Sequence, residues 1–137
     1  MLDGARVLIA EDELLVAADL ADHLEGFGAK VVGPAETVLQ AAHLAATERL
    51  DAALLDFNLL DGNIAALLDI LSARGIPTVL YTGSNVPEDL ISRHPHVTAI
   101  PKPAPMHRIV GEIAEARERA QLATPMEGAR PARTATR

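Results

Sequence analysis

Two periodicities alternate along residues 6–121. Short apolar runs recur five times, and each is followed by a stretch in which apolar residues stand three or four positions apart. Runs of the first kind predict β-strands, and stretches of the second kind predict amphipathic α-helices. The predicted strands are 6–10, 30–32, 52–55, 78–82 and 98–100. The predicted helices are about 16–27, 38–46, 64–71, 87–92 and 106–121.

This alternation predicts an α/β fold. Strand–helix–strand units with right-handed crossovers build a parallel sheet that carries helices on both faces. The predicted strands are continuously apolar, as expected of strands that are covered on both sides. The sequence therefore predicts a five-stranded parallel sheet in a three-layer sandwich, without an internal repeat or a second domain.

The net charge of −7 is unevenly distributed. Residues 122–137 contain three arginines and one glutamate, a local net of +2, which leaves −9 for residues 1–121. The same segment holds two prolines and one glycine and shows neither periodicity. We therefore predict one domain over 1–121 and a flexible basic tail over 122–137.

Composition argues against several classes of protein. The absence of cysteine excludes disulfide scaffolds, zinc-thiolate sites and iron–sulfur clusters. No apolar run approaches the ~20 residues of a membrane span, and the first residues lack a signal-peptide pattern. We expect a cytoplasmic protein with no membrane partner. The acidic body also argues against DNA binding, which requires clustered positive charge.

Polar side chains stand where the predicted strands end. Glu11 and Asp12 follow the first strand, Asp56 follows the third, Thr82 ends the fourth, and Lys102 follows the fifth. The carboxyl ends of parallel strands share one edge of a sheet. Three carboxylates brought together repel one another unless a cation neutralises them, and an all-oxygen set suits Mg²⁺. An ammonium and a hydroxyl nearby are suitable donors to a phosphoryl group, and an aspartate can act as the nucleophile.

These residues resemble the receiver domain of two-component response regulators, over residues 5 to about 120. Each motif is common by itself, but Asp12, Asp56, Thr82 and Lys102 are separated by 44, 26 and 20 residues, and that combination is specific. The resemblance implies a flavodoxin-like (βα)5 sheet with strand order 2-1-3-4-5. It also implies a phosphoacceptor regulator rather than an enzyme.

The resemblance assigns a metal role to four residues. Asp12 and Asp56 would ligate Mg²⁺ directly, Glu11 would act mainly through a bound water, and Asn58 would contribute its backbone carbonyl. Asp56 would also be the phosphoacceptor.

The remaining roles concern the phosphoryl group. Thr82 would donate a hydrogen bond to a phosphoryl oxygen, and Lys102 would pair with another, next to a cis Lys102–Pro103 bond. The donor would be a histidine kinase, a histidine phosphotransfer protein or a small phosphodonor. Output would pass to a downstream protein through the surface formed by the fourth predicted helix, the fifth predicted strand and the fifth predicted helix. Alternatively, the domain would serve as a phosphate relay or sink. A homodimer stays open. The chain is expected to be of the stand-alone, single-domain type.

One departure from the family bears on signal transmission. Ala99 stands where receivers usually carry a switch aromatic. Tyr81, next to Thr82, is either a substitute for that aromatic or a strand residue whose ring packs in the core. The departure motivates an alternative function, a receiver-like binding module that works independently of phosphorylation.

Three structural alternatives stay open. Asp12 and Asp56 could each be a helix N-cap. The Asp61-Gly62 pair is interpreted as a turn. His94-Pro95-His96 is interpreted as surface loop rather than metal ligands. A third function, an aspartyl-phosphate hydrolase, is disfavoured because its nucleophile would follow the first strand rather than the third.

Overall fold

The computed structural model describes residues 2–123 of the 137-residue chain. The strands are β1 (Arg6–Ala10), β2 (Lys30–Ala35), β3 (Ala52–Leu55), β4 (Asn58–Leu59), β5 (Gly62–Asn63), β6 (Thr78–Thr82) and β7 (Val97–Pro101). The helices are α1 (Leu14–Gly26), α2 (Val38–Thr47), α3 (Ala65–Ala73), α4 (Glu88–Arg93) and α5 (Met106–Ala123). Among these residues, no helix is both long and apolar enough to cross a membrane.

Five of the strands form one parallel sheet in the order β2-β1-β3-β6-β7. Counted along the chain without the two short strands, this order is 2-1-3-4-5, so the predicted α/β class and topology are confirmed. The short strands β4 and β5 pair with each other in a separate antiparallel ribbon. The ribbon was not predicted, because two residues per strand are too few to show a period.

The core lies on both faces of the sheet. Neighbouring residues of β1 belong to different clusters: Leu8 packs with α2, α3 and α4 on one face, and Ile9 packs with α1 and α5 on the other. Successive side chains of a strand point to opposite faces, so a central strand that is covered on both faces needs apolar residues at consecutive positions. This explains the continuous apolar runs of the sequence.

Some element ends differ from the prediction. Strand β2 continues through a cis Gly33–Pro34 bond to Ala35, and β7 includes Pro101. Helix α5 is described through Ala123, two residues beyond the predicted domain boundary at 121. The rest of the predicted tail, 124–137, lies outside the described residues.

The Asp61-Gly62 turn has a second contact. Asp61 joins β4 to β5, and its carboxylate accepts hydrogen bonds from the backbone N–H groups of Val38 (2.5 Å) and Leu39 (3.2 Å) at the start of α2. The bond from Val38 is the main reason that the pKa of Asp61 lies below its usual value. The turn therefore also caps α2, together with Thr37, whose side chain accepts from the Gln40 N–H.

The histidine segment is only partly a surface loop. His94 is buried at the end of α4, and its Nδ1 lies 2.8 Å from Ser72 Oγ. Its Nε2 lies 3.1 Å from Asp69 Oδ1 on α3. His96 is exposed as predicted. The interpretation of His94 was wrong because the end of α4 packs onto α3, a contact between two helices that β6 separates along the chain.

Gly33 is required by its backbone conformation. Its φ is +98°, and a Cβ there would lie 2.9 Å from both Ala35 N and Ile9 O, which are backbone atoms and cannot move aside cheaply. Gly33→Ala is therefore expected to lower the free energy of unfolding by about 2 kcal/mol. Urea denaturation measures this. The matched control is Gly111→Ala, inside α5 with open space around the new methyl, which is expected to raise stability by up to ~1 kcal/mol. Equal effects of the two changes would contradict the account.

Candidate phosphoacceptor and metal site

Three carboxylates meet at the carboxyl edge of the sheet. Glu11 follows β1 and Asp56 follows β3, and each is fixed by its backbone N–H, which donates to Ala35 O and Ala10 O respectively, at 2.9 Å in both cases. Glu11, Asp12 and Asp56 each offer an oxygen, and these oxygens all lie within 4.8 Å of one another. Glu11 is buried, whereas Asp12 and Asp56 are half-buried. The predicted acidic cluster is therefore present at the predicted edge.

Lys102 reaches this cluster from β7. Its backbone N–H donates to Thr82 O at 3.1 Å, and the Lys102–Pro103 bond is cis, as the sequence resemblance implied. The Nζ atom donates to Glu11 Oε1 at 2.8 Å and to Asp56 Oδ2 at 3.0 Å. It also lies 3.7 Å from Glu13 Oε1. One ammonium thus contacts three carboxylates.

These contacts set the charge state of the site. Burial lowers the pKa of Lys102, but the hydrogen bonds to Glu11 and Asp56 outweigh burial and raise that pKa to about 12. Burial raises the pKa of Glu11, an effect that the bonds from Lys102 and the Glu13 N–H only partly oppose, and the nearby Asp56 raises it further. Lys102 is therefore charged at neutral pH, and it balances only part of the negative charge that the fold gathers here.

The donor set fits a hard divalent cation. Carboxylate oxygens in a half-buried cluster are the ligands that Mg²⁺ prefers, usually with several waters retained. Asn58 lies two residues beyond Asp56, and its backbone N–H donates to Asp56 Oδ1 at 3.3 Å. The role of the Asn58 carbonyl as a ligand stays a prediction.

Thr82 lies at the same edge of the sheet. It is the last residue of β6 and is buried, and its Oγ1 accepts from the Ser84 N–H at 3.1 Å. Ser84 Oγ in turn accepts from Asn58 Nδ2 at 2.6 Å. This bond joins the start of β4, two residues beyond Asp56, to the loop after β6. The five polar positions predicted at the strand ends thus lie at one edge of the sheet.

The comparisons with known proteins agree with this geometry. No protein-family model matches the sequence. The chain is 34% identical over 128 residues to the transcriptional regulatory protein PdtaR of Mycobacterium tuberculosis, an alignment that covers 90% of this chain and 62% of PdtaR. Its fold matches the signal receiver domain of a modulated diguanylate cyclase from Desulfovibrio desulfuricans G20, with a TM-score of 0.74 and 28% identity over 89% of this chain and 100% of that one. The chain contains a response regulator receiver domain.

A third comparison concerns the cleft. The receiver domain of the sensor histidine kinase PA1611 from Pseudomonas aeruginosa PAO1 matches with a TM-score of 0.73 and 19% identity, over 84% of this chain and 98% of that one. That domain is described with a magnesium ion coordinated in its active site cleft. Because the chain spans 62% of the length of PdtaR, the stand-alone organisation of this receiver stays a prediction.

The N-cap alternatives for the two aspartates are wrong. The residue that precedes α1 is Glu13, not Asp12. Asp56 leads into the β4–β5 ribbon, and α3 begins only after Ile64. Neither Asp12 nor Asp56 therefore caps a helix, so helix capping does not explain why an aspartate stands at either position.

Sequence reasoning did not place Glu13 or the ring of Tyr81 beside Lys102. The carboxylate of Glu13 lies 3.7 Å from Lys102 Nζ. The ring of Tyr81 lies 5.5 Å from the same atom, measured to the ring centroid. The signal for both was their position directly beside a predicted site residue, Asp12 and Thr82 respectively. Ala99 lies exposed on β7, so the receiver has no aromatic side chain at that position.

Proposed function

We propose that this receiver domain accepts a phosphoryl group on Asp56 in a Mg²⁺-dependent reaction. The observation that carries the proposal is Lys102 Nζ, which donates to both Glu11 and Asp56 at the edge where three carboxylates meet. A structural ion pair needs one acidic side chain for one basic side chain, whereas several carboxylates surround the single ammonium here. A phosphotransfer site requires the additional carboxylates to bind the cation, and it requires the ammonium to bind the phosphoryl group.

Glu11, Asp12, Asp56 and the Asn58 carbonyl would hold the cation. The magnesium described in the cleft of the PA1611 receiver supports this assignment. Mg²⁺ bound there supplies positive charge that neutralises phosphoryl oxygens. Glu11 and Asp12 contribute by placing negative charge beside Asp56, which favours a divalent cation over water at this point.

Asp56 is the nucleophile of the proposed reaction. Its Oδ2 is engaged by Lys102 at 3.0 Å, whereas Oδ1 accepts a longer bond of 3.3 Å from the Asn58 N–H, so Oδ1 is better placed to attack phosphorus. With a phosphohistidine donor, the P–N bond breaks as the O–P bond forms, and the electron pair leaves with the imidazole. Lys102 and the Thr82 hydroxyl stabilise the phosphoryl oxygens. Water later hydrolyses the acyl phosphate and regenerates the carboxylate.

The phosphoryl donor is a histidine kinase, a histidine phosphotransfer protein or a small molecule such as acetyl phosphate. The domain acts as a regulator rather than as an enzyme that releases a product: its output passes to another protein, with the surface of α4, β7 and α5 as the first candidate. Relay or sink activity uses the same chemistry. A cytoplasmic location and a homodimer stay predictions.

A specific observation favours a second function, a binding module that is independent of phosphorylation. Ala99 leaves β7 without an aromatic side chain whose rotation could report the state of Asp56. A receiver that does not respond would still present its surfaces to partners. The two functions differ in whether Asp56 becomes modified at all.

Intact mass spectrometry after incubation with Mg²⁺ and acetyl phosphate tests the proposal. Wild-type protein is expected to gain about 80 Da, and Asp56→Asn is expected to gain nothing. The matched control is Asp22→Asn, an exposed position on α1, which should be modified as the wild type is. A wild-type protein that stays unmodified with every donor class would refute the proposal and leave the binding module.

A further inference from the structure

Tyr81 lies at a junction between the cleft and the opposite side of the sheet. It precedes Thr82 on β6, is half-buried, and lines one cavity with Val16, Ala104 and Met106, on the face covered by α1 and α5. Its neighbour Leu80 packs on the other face, with α2, α3 and α4. The alternation of β6 thus directs Tyr81 toward the turn that leads from β7 into α5.

The side chain contacts that turn at two points. The ring lies 5.5 Å from Lys102 Nζ, within the range of a cation–π interaction. The hydroxyl oxygen accepts a hydrogen bond of 3.2 Å from the backbone N–H of Ala104. Lys102 and Ala104 stand on either side of Pro103. The Tyr81 side chain therefore contacts both the lysine ammonium and the backbone two residues beyond that lysine.

Phosphorylation would change the first of these contacts. Lys102 Nζ is now held by Glu11 and Asp56. A phosphoryl group on Asp56 places its negative oxygens beyond the carboxylate, and the ammonium follows the charge. A cation–π contact weakens as the cation leaves the ring. The movement of Lys102 would therefore weaken its attraction to the Tyr81 ring.

We propose that Tyr81 transmits the state of Asp56, through Lys102, to the backbone turn at Ala104 that enters α5. The proposal rests on the proposed phosphorylation of Asp56 and gives this receiver a reporting aromatic on β6, in place of the one that Ala99 lacks on β7. Tyr81 acts as a positioning residue: it touches the lysine and the turn, and not the reacting atoms.

The chain offers a selective probe, because Tyr81 is its only tyrosine and tryptophan is absent. Tyrosine emission therefore reports on this ring alone. In wild-type protein with Mg²⁺, addition of beryllofluoride, a mimic of the acyl phosphate, is expected to change the emission. It is also expected to speed exchange of the Ala104 amide, followed by NMR, because the turn moves away from the hydroxyl. Asp56→Asn should show neither response.

Two variants separate transmission from simple packing. Tyr81→Phe keeps the ring over Lys102 but removes the acceptor of the Ala104 N–H. The Ala104 amide of this variant is therefore expected to exchange fast with and without beryllofluoride, so that its exchange rate no longer responds to beryllofluoride. Tyr81→Leu should show the same fast exchange of the Ala104 amide, and circular dichroism shows whether each variant folds. If the leucine variant does not fold, the result of the phenylalanine variant decides the test.

The outcomes separate the two proposals. If the wild type gains the phosphoryl mass but its emission and its Ala104 exchange do not respond, the transmission role of Tyr81 is overturned and the proposed function stands. A response at Ala104 that persists in Tyr81→Phe also overturns the role. If no phosphoryl mass is gained, the proposed function itself fails.

Discussion

Lys102→Met is expected to lower the free energy of unfolding in metal-free buffer at pH 7 by about 2 kcal/mol. Removing one partner of a buried ion pair leaves the other charge uncompensated, and here the ammonium contacts Glu11, Asp56 and Glu13 at 2.8, 3.0 and 3.7 Å. The value lies below the range for fully buried pairs because the Lys102 side chain is 20% exposed and is partly screened by water.

The pH dependence follows from Glu11. Its pKa is already raised above 4.5 by burial, and Lys102 opposes the rise. Without the lysine the pKa rises further. An acid whose folded-state pKa lies above its unfolded value destabilises the fold as pH rises through that interval. The loss in Lys102→Met should therefore be smaller at pH 5 than at pH 8, and Mg²⁺ should reduce it by replacing the missing charge.

Lys30 provides the control, because it is the only other lysine of the chain and is exposed at the start of β2. Lys30→Met is expected to change stability by less than about 0.5 kcal/mol. Urea denaturation with and without EDTA measures both variants. A loss that is equal in the two variants, or one that does not depend on pH, would contradict the account of the cleft.

Mg²⁺ is expected to stabilise the wild-type protein, and Asp12→Asn is expected to abolish that effect. A ligand at 100 times its dissociation constant raises the free energy of unfolding by about 2.7 kcal/mol. Asp12 is half-buried in the acidic cluster and does not cap α1. Its loss should remove repulsion as well as a ligand, so the variant in EDTA is expected to be at least as stable as the wild type.

The change in melting temperature on adding Mg²⁺ measures this effect, with Asp22→Asn as the matched control. Asp22 is exposed on α1 and lies outside the cluster, so its variant should keep the full Mg²⁺ response. A Mg²⁺ response that survives in Asp12→Asn would remove Asp12 from the proposed ligand set. The absence of a response in the wild type would contradict the metal site as a whole.

Sequence reasoning succeeded where periodicity and strand ends decide the outcome. The apolar runs located all five strands of the main sheet, and the ends of four of them located Glu11, Asp56, Thr82 and Lys102 at one edge. Topology brings those ends together whatever the side chains between them are. For this reason the cleft could be predicted from residues as far apart along the chain as Glu11 and Lys102.

The failures concern contacts that depend on packing between elements. His94 is buried because α4 meets α3, and the position of Tyr81 over Lys102 depends on the register of β6 with β7 and on the turn at Pro103. Neither follows from a local pattern. The β4–β5 ribbon is too short for a period, although its turn at Asp61 was predicted from the residue types.

The central claim is that Asp56 is the residue that carries the phosphoryl group, and chemical trapping tests it most directly. Wild-type protein is incubated with Mg²⁺ and acetyl phosphate and then reduced with borohydride, which converts an acyl phosphate of aspartate to homoserine. Peptide mass spectrometry then locates the converted residue. We expect homoserine at position 56, and only when Mg²⁺ is present. Conversion at Asp12 or at another carboxylate, with Asp56 unchanged, would contradict the account.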